Sequence, residues 1–350
     1  MIARQIESPF ADGYALLHEE AATEKFRKEE YSFTYHHYVC QVTGQSFTTD
    51  ELDNLNVSQV YSQYRQKHQI MFPEQILALR ERYGLSAARM SLILDFGPNQ
   101  YRSYEDGEKP SDSNAAHLRL ARNPRTFCEM VRAKKEKLRP NESAKLEEHL
   151  LVLMQQDEED FFASDQPFLS PTLRNPRAIP DEFTGYTVPN QEKFAEMVLY
   201  FFQHCEHLYL VRLNKLLFYA DFLHYRTTGR SLSGYRYQAI PHGPVPERYE
   251  MHFGLLIDKG LLNRSIDPVR KNSFNGQPLL NYSPNRPARS DVFSAAEWAT
   301  LEAVCQKLGR KTREAIVQLS HEEPAWLDNE QEQDIISYQQ YAFQLKGLDQ

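Results

Sequence analysis

The chain has 350 residues, of which 41% are hydrophobic and 25% are charged, and its formal net charge is −8. This length predicts two or three domains, and no stretch reaches the roughly 18 apolar residues of a membrane span. The first residues lack the apolar core of a secretory signal, so we expect a cytoplasmic protein with no membrane partner. The four cysteines form no C-x-x-C pair, which argues against a disulfide scaffold and a four-cysteine zinc site.

Residues 1–70 are predicted to form a small β module. The run Tyr31-Ser-Phe-Thr-Tyr-His36 alternates apolar and polar residues, as a half-buried strand does. Two turns, Ser8-Pro-Phe-Ala11-Asp-Gly13 and Cys40-Gln-Val-Thr43-Gly44, are similar to the knuckles of a zinc ribbon, each of which supplies two cysteines before a glycine. Ser8, Ala11 and Thr43 stand at three of the four ligand positions. We therefore expect the ribbon shape without a metal, and two ordinary turns are the alternative.

Residues 71–140 have the pattern of a helix-turn-helix domain. A first helix begins at Pro73 and ends at Gly84, and Ser86 is a natural N-cap for a second helix. After a tight break, a third short helix is expected over Asn99–Glu105. Helix, short glycine-containing turn and helix is the spacing of a DNA-binding helix-turn-helix.

The third helix is the candidate recognition helix. Residues 71–139 hold 13 lysines and arginines against 9 acidic residues, a net charge of +4 within an acidic chain, which suits contact with a polyanion. Glutamine pairs with adenine, arginine with guanine, and serine or asparagine with the phosphate backbone. The predicted DNA-binding residues are Asn99, Gln100, Arg102, Ser103 and Lys109. Three ordinary helices with polar solvent faces are the alternative.

Residues 141–189 are predicted to form an acidic helix followed by a linker. The helix, over Asn141–Phe162, is amphipathic. Its apolar stripe consists of Leu146, Leu150, Leu153 and Met154. The stripe suits a homodimer, which would let two recognition helices read half-sites one DNA turn apart, but packing inside its own domain is the commoner use. Five prolines within residues 163–190 then indicate an interdomain linker.

Residues 190–335 are predicted to be a helical domain with short strands. A buried helix is expected over Leu210–Arg226, because it is apolar nearly all round. A strand over Gly234–Ile240 leads to a rigid corner at His242-Gly-Pro-Val-Pro246, and the turn Asn275-Gly276 predicts a β-hairpin. The remaining predicted helices cover 191–205, 249–256, 295–308 and 312–319, and a polar tail is expected over 336–350.

The sequence lacks the common catalytic and metal-binding motifs. The sequence contains no H-E-x-x-H, Walker loop, G-x-S-x-G or G-x-G-x-x-G, and His204, Cys205 and His207 are spaced too closely to enclose a metal alone. Asp221 on its apolar helix is a costly carboxylate that needs a partner, for which Lys215 and His242 are candidates. We favour a buried polar network over acid–base chemistry. A hydrolase built on His242, Asp221 and His321 is the competing hypothesis.

Four segments of the C-terminal part resemble the Panacea domain (SocA-like) in order and spacing, over roughly residues 190–330. They are Lys215-Leu-Leu-Phe-Tyr-Ala-Asp-Phe222, Gly229-Arg-Ser-Leu232, His242-Gly-Pro-Val-Pro246 and the segment from Ser320-His-Glu to Trp326. The N-terminal part, with its two knuckles, Arg80-Glu-Arg-Tyr-Gly-Leu-Ser86 and Tyr104-Glu-Asp-Gly-Glu108, is similar to MqsA/YgiT-type antitoxins, which combine a zinc ribbon with a helix-turn-helix. The lost zinc ligands depart from that pattern.

The resemblance implies an antitoxin of a type II toxin–antitoxin system that is not an enzyme and uses no cofactor or metal. Its Panacea domain would bind and neutralise a cognate toxin encoded next to it, including toxins that block translation, and its helix-turn-helix would bind operator DNA and repress the operon. A SocA-like role as a protease adaptor is a further implication that the residues do not address. The predicted toxin-binding residues are Lys215, Tyr219, Asp221, Phe222, Tyr235, Tyr237, His242 and Tyr249.

The predicted fold is mainly α with small β elements: a degenerate ribbon, a helix-turn-helix and a helical Panacea domain with a β-hairpin. The alternative function is a stand-alone helix-turn-helix regulator with a C-terminal sensing domain. A lethal neighbouring gene that only this protein silences would distinguish the two.

Overall fold

A computed structural model describes residues 2–163, 179–206, 208–266 and 280–349. Its contacts divide the chain into two compact units, one made of residues 1–63 with 180–350 and the other of residues 64–179. The N-terminal β module therefore belongs to the same unit as the C-terminal part of the chain. The fold is mainly α with small β elements, as predicted. Within the described residues, no helix is both long and apolar enough to span a bilayer.

The elements follow one another from an N-terminal sheet to a largely helical remainder. The strands are β1 Gln5–Glu7, β2 Tyr14–Phe26, β3 Glu29–Cys40, β4 Ser46–Phe47, β5 Tyr237–Ile240, β6 Gly243–Pro246, β7 Leu262–Ile266 and β8 Leu280–Pro284. The first seven helices are α1 Asp50–Lys67, α2 Pro73–Arg82, α3 Ala87–Ile93, α4 Gln100–Glu105, α5 Asp112–Ala121, α6 Pro124–Ala133 and α7 Pro140–Ala163. Those after the gap are α8 Gln191–His204, α9 Leu210–Thr228, α10 Tyr249–Asp258, α11 Ala295–Leu308, α12 Arg313–His321, α13 Pro324–Leu327 and α14 Tyr338–Tyr341. Short 3-10 turns cover Lys135–Lys137 and Ala342–Gln344.

The N-terminal sheet is antiparallel with strand order β1-β2-β3-β4. Strands β2 and β3 form a long hairpin in which His18 lies opposite His37. Arg27 and Lys28 at the hairpin tip both have positive φ, as a two-residue turn that matches the strand twist requires. The predicted strand over Tyr31–His36 lies within β3.

Side-chain amides of α1 cover the edge of β3 that β4 leaves unpaired. The Asn56 amide accepts from the His36 N–H at 2.9 Å and donates to the His36 carbonyl at 2.9 Å. The Gln59 amide does the same for Thr34, at 3.0 and 2.9 Å, and the Gln63 amide donates to the Ser32 carbonyl at 2.9 Å. Because an open strand edge invites pairing with another chain, these amides protect the sheet as a neighbouring strand would.

The unit of residues 64–179 has its own apolar core, to which α2 to α7 contribute. The predicted stripe of α7 lies in this core, with Leu146, Leu150 and Leu153 buried and Met154 packed against them. The stripe therefore serves core packing rather than a dimer interface. The linker predicted over residues 163–190 lies mostly outside the described residues, although Asp181 to Tyr186 form an ordered turn in the other unit.

The C-terminal part of the other unit is built around α9, in which every side chain from Arg212 to Tyr225 is buried. Strands β5 and β6 pair tightly at the predicted corner, and β7 pairs with β8 antiparallel. The Asn275-Gly276 turn predicted for that hairpin lies outside the described residues. The tail predicted to be polar is packed instead, because Ile336, Tyr338, Ala342 and Leu348 are at most 1% exposed.

Candidate functional site

Helices α2, α3 and α4 occupy the positions predicted for the helix-turn-helix. The Ser86 hydroxyl accepts from the Arg89 N–H at 3.3 Å, which confirms the predicted N-cap of α3. Helix α4 begins at Gln100, one residue later than predicted, since Asn99 adopts a left-handed conformation with φ of 63°.

Two tyrosines fix α4 against the rest of its unit. The Tyr101 hydroxyl donates to the Ile76 carbonyl at 2.7 Å, its N–H donates to the Ser91 hydroxyl at 3.1 Å, and Tyr104 is also buried. The predicted DNA-binding residues are more accessible: Asn99 and Arg102 are exposed, and Gln100, Ser103 and Lys109 are half-buried. Of these, Gln100, Arg102 and Ser103 lie on α4, whereas Asn99 precedes the helix and Lys109 follows it.

The two turns resembling zinc knuckles face each other around Cys40. Hydrogen bonds from the Ser8 and Thr43 hydroxyls lower the pKa of the Cys40 thiol to about 7, and the Thr43 N–H lies 3.4 Å from Sγ. A methyl group at Gly13 would lie 3.0 Å from Val42, across from the first turn. Among the described residues, no group of three or more His, Cys, Asp or Glu side chains is placed to hold a metal ion.

Cys205 lies next to a second cysteine that is far away in the sequence. Its sulfur lies 3.6 Å from the Cys305 sulfur, and burial raises the pKa of the Cys205 thiol to about 12. The His204 ring stacks on Tyr200 and bonds to that residue's carbonyl at 2.8 Å. His207, which the sequence analysis considered together with His204 and Cys205, lies outside the described residues.

Asp221 is the centre of a buried polar network on α9. Its carboxylate accepts from the Ser233 N–H at 2.7 Å, from the Ser233 hydroxyl at 2.6 Å and from the Tyr237 hydroxyl at 2.8 Å. Burial raises the pKa of Asp221 to about 6, and the bonds from Ser233 and Tyr237 oppose that rise. The predicted network exists, but the predicted partners Lys215 and His242 are wrong, because the segment after α9 supplies nearer donors.

Lys215 is fully buried on the same helix, six residues before Asp221. Its side-chain nitrogen donates to the Pro244 carbonyl at 2.9 Å, and burial lowers the pKa of Lys215 to about 7. Gly243 has φ of 91°, and a methyl group there would lie 2.7 Å from Nζ and 2.6 Å from the Ser320 hydroxyl. The corner motif therefore requires glycine, since any side chain would displace the lysine.

Glu323 is a third buried ionisable residue, which the sequence analysis did not single out. Its carboxylate accepts from the Tyr219 hydroxyl at 2.9 Å and from the backbone N–H groups of Lys346 and Gly347 at 2.8 and 2.7 Å. Burial raises the pKa of Glu323. The one local signal was its position directly before Pro324, which begins α13. Glu323 thus fastens the C-terminal segment to the helices that carry the quoted motifs.

A comparison with protein families identifies this region. Residues 213–327 match the family described as Antitoxin SocA-like, Panacea domain. The match supports an antitoxin role in general and favours a regulatory rather than an enzymatic protein. No curated protein and no solved structure matches the chain.

The buried network lies inside this Panacea domain and accounts for most of the predicted toxin-binding residues. Six of the eight side chains are at most 5% exposed: Lys215, Tyr219, Asp221, Phe222, Tyr235 and Tyr237. Five of them cannot contribute to a docking surface while the domain is folded, whereas Tyr235 also lines the floor of a surface cleft. His242 is exposed and Tyr249 is half-buried, so these two remain accessible.

The hydrolase hypothesis required His242, Asp221 and His321 to act together. The Asp221 carboxylate accepts its hydrogen bonds from Ser233 and Tyr237. The His321 ring stacks on Trp326, with 3.9 Å between the ring centroids. The Trp326 indole donates to the Ile240 carbonyl at 2.8 Å, which ties α13 to strand β5. The three groups therefore do not assemble into a hydrogen-bonded triad.

Proposed function

We propose that this chain is the antitoxin of a type II toxin–antitoxin system and neutralises its toxin by direct binding through the Panacea domain. The observation that carries the proposal is the family match over residues 213–327. The described core supports the proposal, because the buried polar residues of the segments that resemble the Panacea domain form hydrogen bonds within the protein itself. Asp221, Lys215 and Glu323 each hold backbone or hydroxyl groups of their own domain. Such a domain presents a fixed surface and has no exposed nucleophile–base pair among these three groups.

Neutralisation is tested with the full chain and the protein encoded next to it. Expression of the neighbouring protein alone should stop growth, and co-expression with this chain should restore it. The two proteins should also copurify at a fixed ratio. A neighbour that is harmless, or one that kills in the presence of well-expressed chain, would refute the antitoxin proposal.

We further propose that α4 binds operator DNA and represses the operon. The exposed Arg102 and half-buried Gln100 support this, because they are suited to reading guanine and adenine in the major groove. Arg102→Ala should weaken binding to the DNA upstream of the gene by about 1–3 kcal/mol, measured by gel shift at fixed salt. Growth rescue should be unchanged. Unaltered DNA affinity of that variant would contradict the assignment.

A stand-alone transcription regulator is the second candidate, since the same three helices favour DNA binding. The two functions differ in whether the protein encoded next to this chain is toxic. If the full chain represses its promoter while the neighbouring protein is harmless, the regulator is favoured over the antitoxin.

A further inference from the structure

A cleft of about 350 Å³ opens on the surface of the unit that contains the Panacea domain. Its walls come from α8, from α10 with Lys259 directly after it, and from Tyr235, Leu261 and Arg286, which lie just before β5, just before β7 and after β8. The volume is at the lower end of the range for ligand pockets, so it suits one large side chain or a similarly small group. None of the eight predicted toxin-binding residues except Tyr235 lines it.

The floor of the cleft is aromatic and uncharged. The Phe194 and Tyr235 rings stack at 4.0 Å and 9°, and His252 packs edge-on against Tyr235 at 4.7 Å. Burial lowers the pKa of His252 to about 4, so this imidazole is neutral at pH 7. Leu255 and Leu256 complete the apolar lining. Desolvating such a floor favours an apolar occupant, and an aromatic ring gains additional edge or stacking contacts.

The charged residues that line the cleft differ in whether they have a partner of opposite charge. Glu196 is buried and accepts two hydrogen bonds from the Arg286 guanidinium and one from the Arg289 N–H at 2.8 Å. Glu192 pairs with the Arg289 side chain. Lys259 at the end of α10 is exposed and, within the part of the chain that the structure describes, has no carboxylate partner. The rim therefore has one positive charge available to an incoming anion.

We propose that this cleft is where the toxin docks, receiving one apolar side chain, preferably aromatic, next to an acidic residue that pairs with Lys259. The inference rests on the proposed antitoxin function and names the surface that performs it. A buried aromatic anchor in a concave pocket with a charge pair at its rim is the usual form of an interface hot spot. The apolar floor supplies affinity, and the lysine selects the orientation of the toxin segment.

The test uses the full chain, the protein encoded next to it, and two pairs of variants. Leu255→Arg places a long charged side chain in the cleft, and Leu327→Arg is its control, because Leu327 is 49% exposed in the same domain outside the cleft. Lys259→Glu reverses the rim charge, with the half-buried Lys311→Glu as its control. Both cleft variants should weaken toxin binding about tenfold or more and reduce growth rescue, whereas both controls should match wild type.

A photo-crosslinking amino acid at position 255 or 327 gives a measurement that does not depend on a stability change. Crosslinking to the neighbouring protein from position 255 and not from 327 is expected. Wild-type affinity of both cleft variants, equal crosslinking from the two positions, or a small metabolite occupying the cleft in the toxin complex would overturn the inference. If the wild-type chain fails to neutralise its neighbour, the proposed function itself fails, which is a separate outcome.

Discussion

The Asp221 carboxylate bridges the N–H and the hydroxyl of Ser233, at 2.7 and 2.6 Å, and so joins α9 to the segment that leads into β5. The same carboxylate also accepts from Tyr237, the first residue of that strand. Three donors in a dry interior depend on one acceptor group. Asp221 therefore holds the segment that follows α9 in place.

Asp221→Ala should destabilise the protein strongly. The substitution leaves the N–H and hydroxyl donors of Ser233 and Tyr237 buried without acceptors, at about 1–3 kcal/mol for each group that cannot relax toward another partner. Urea unfolding should show a loss of about 3 kcal/mol or more. Asp258→Ala, which removes an exposed carboxylate from α10, is the matched control and should be near neutral. Equal stability of the two variants would contradict the role of Asp221.

Lys215 predicts a pH dependence of stability. Its pKa is about 7 in the folded protein and 10.5 when exposed, so between these values the unfolded chain binds the proton that the folded protein lacks. The unfolding free energy should then rise with pH, by at most about 1.4 kcal/mol per pH unit. Urea titrations from pH 7 to 8.5 avoid tyrosine ionisation. Lys215→Met should reduce this slope to the part contributed by the Cys40 thiol, whose lowered pKa of about 7 acts in the same direction, and Lys259→Met should leave the slope unchanged. A wild-type curve that is flat or falling over that range would rule out a neutral Lys215.

The sequence allowed prediction of those structural features that depend on residues close together in the chain. Pro73, Gly84 and Ser86 set helix boundaries through their own backbone chemistry, and the structure places α2 and α3 within a residue or two of the prediction. The burial of α9 also followed from its apolar circumference. Partners far apart in sequence were not predictable, as the bond from the Thr34 N–H to the Gln59 amide oxygen and the bond from the Gly347 N–H to the Glu323 carboxylate illustrate.

The same limit explains the predicted toxin-binding residues. Aromatic periodicity indicates that Tyr219 and Phe222 are apolar contacts, but it cannot distinguish a face covered by the domain itself from one covered by a partner. The structure assigns both to the core, where Phe222 stacks on Tyr338 of the supposedly polar tail at 4.2 Å. Tyr338 lies more than a hundred residues later in the chain. Its contact with Phe222 arises from tertiary packing, and the sequence around either residue does not indicate it.

Cys205 and Cys305 should form a disulfide under oxidation. With hydrogen peroxide, the two thiols lose two protons and two electrons, an S–S bond forms, and the peroxide is reduced to two waters. The sulfurs are already 3.6 Å apart, but the high pKa of Cys205 keeps thiolate scarce, so the reaction should be slow at pH 7 and faster at higher pH. Mass spectrometry should find the peptides of α8 and α11 joined. Cys305→Ser should abolish this linkage and Cys128→Ser should not; a linkage that persists in Cys305→Ser would disprove the pairing.

The knuckle turns predict that metal binding can be restored. The Ser8 and Thr43 hydroxyls already approach the Cys40 sulfur, so thiolates at positions 8, 11 and 43 would complete four ligands of the type that zinc prefers. The variant Ser8→Cys/Ala11→Cys/Thr43→Cys should bind one zinc ion per chain, measured by elemental analysis after dialysis, and its melting temperature should fall on chelation. In the control, Val42→Cys replaces Thr43→Cys, which moves one thiol to a side chain that is 64% exposed. Stoichiometric zinc in the first variant and little in the control is expected, because Thr43 contacts the Cys40 sulfur whereas the Val42 side chain is exposed. Equal zinc content in the two would mean that the turns do not share the geometry of a ribbon.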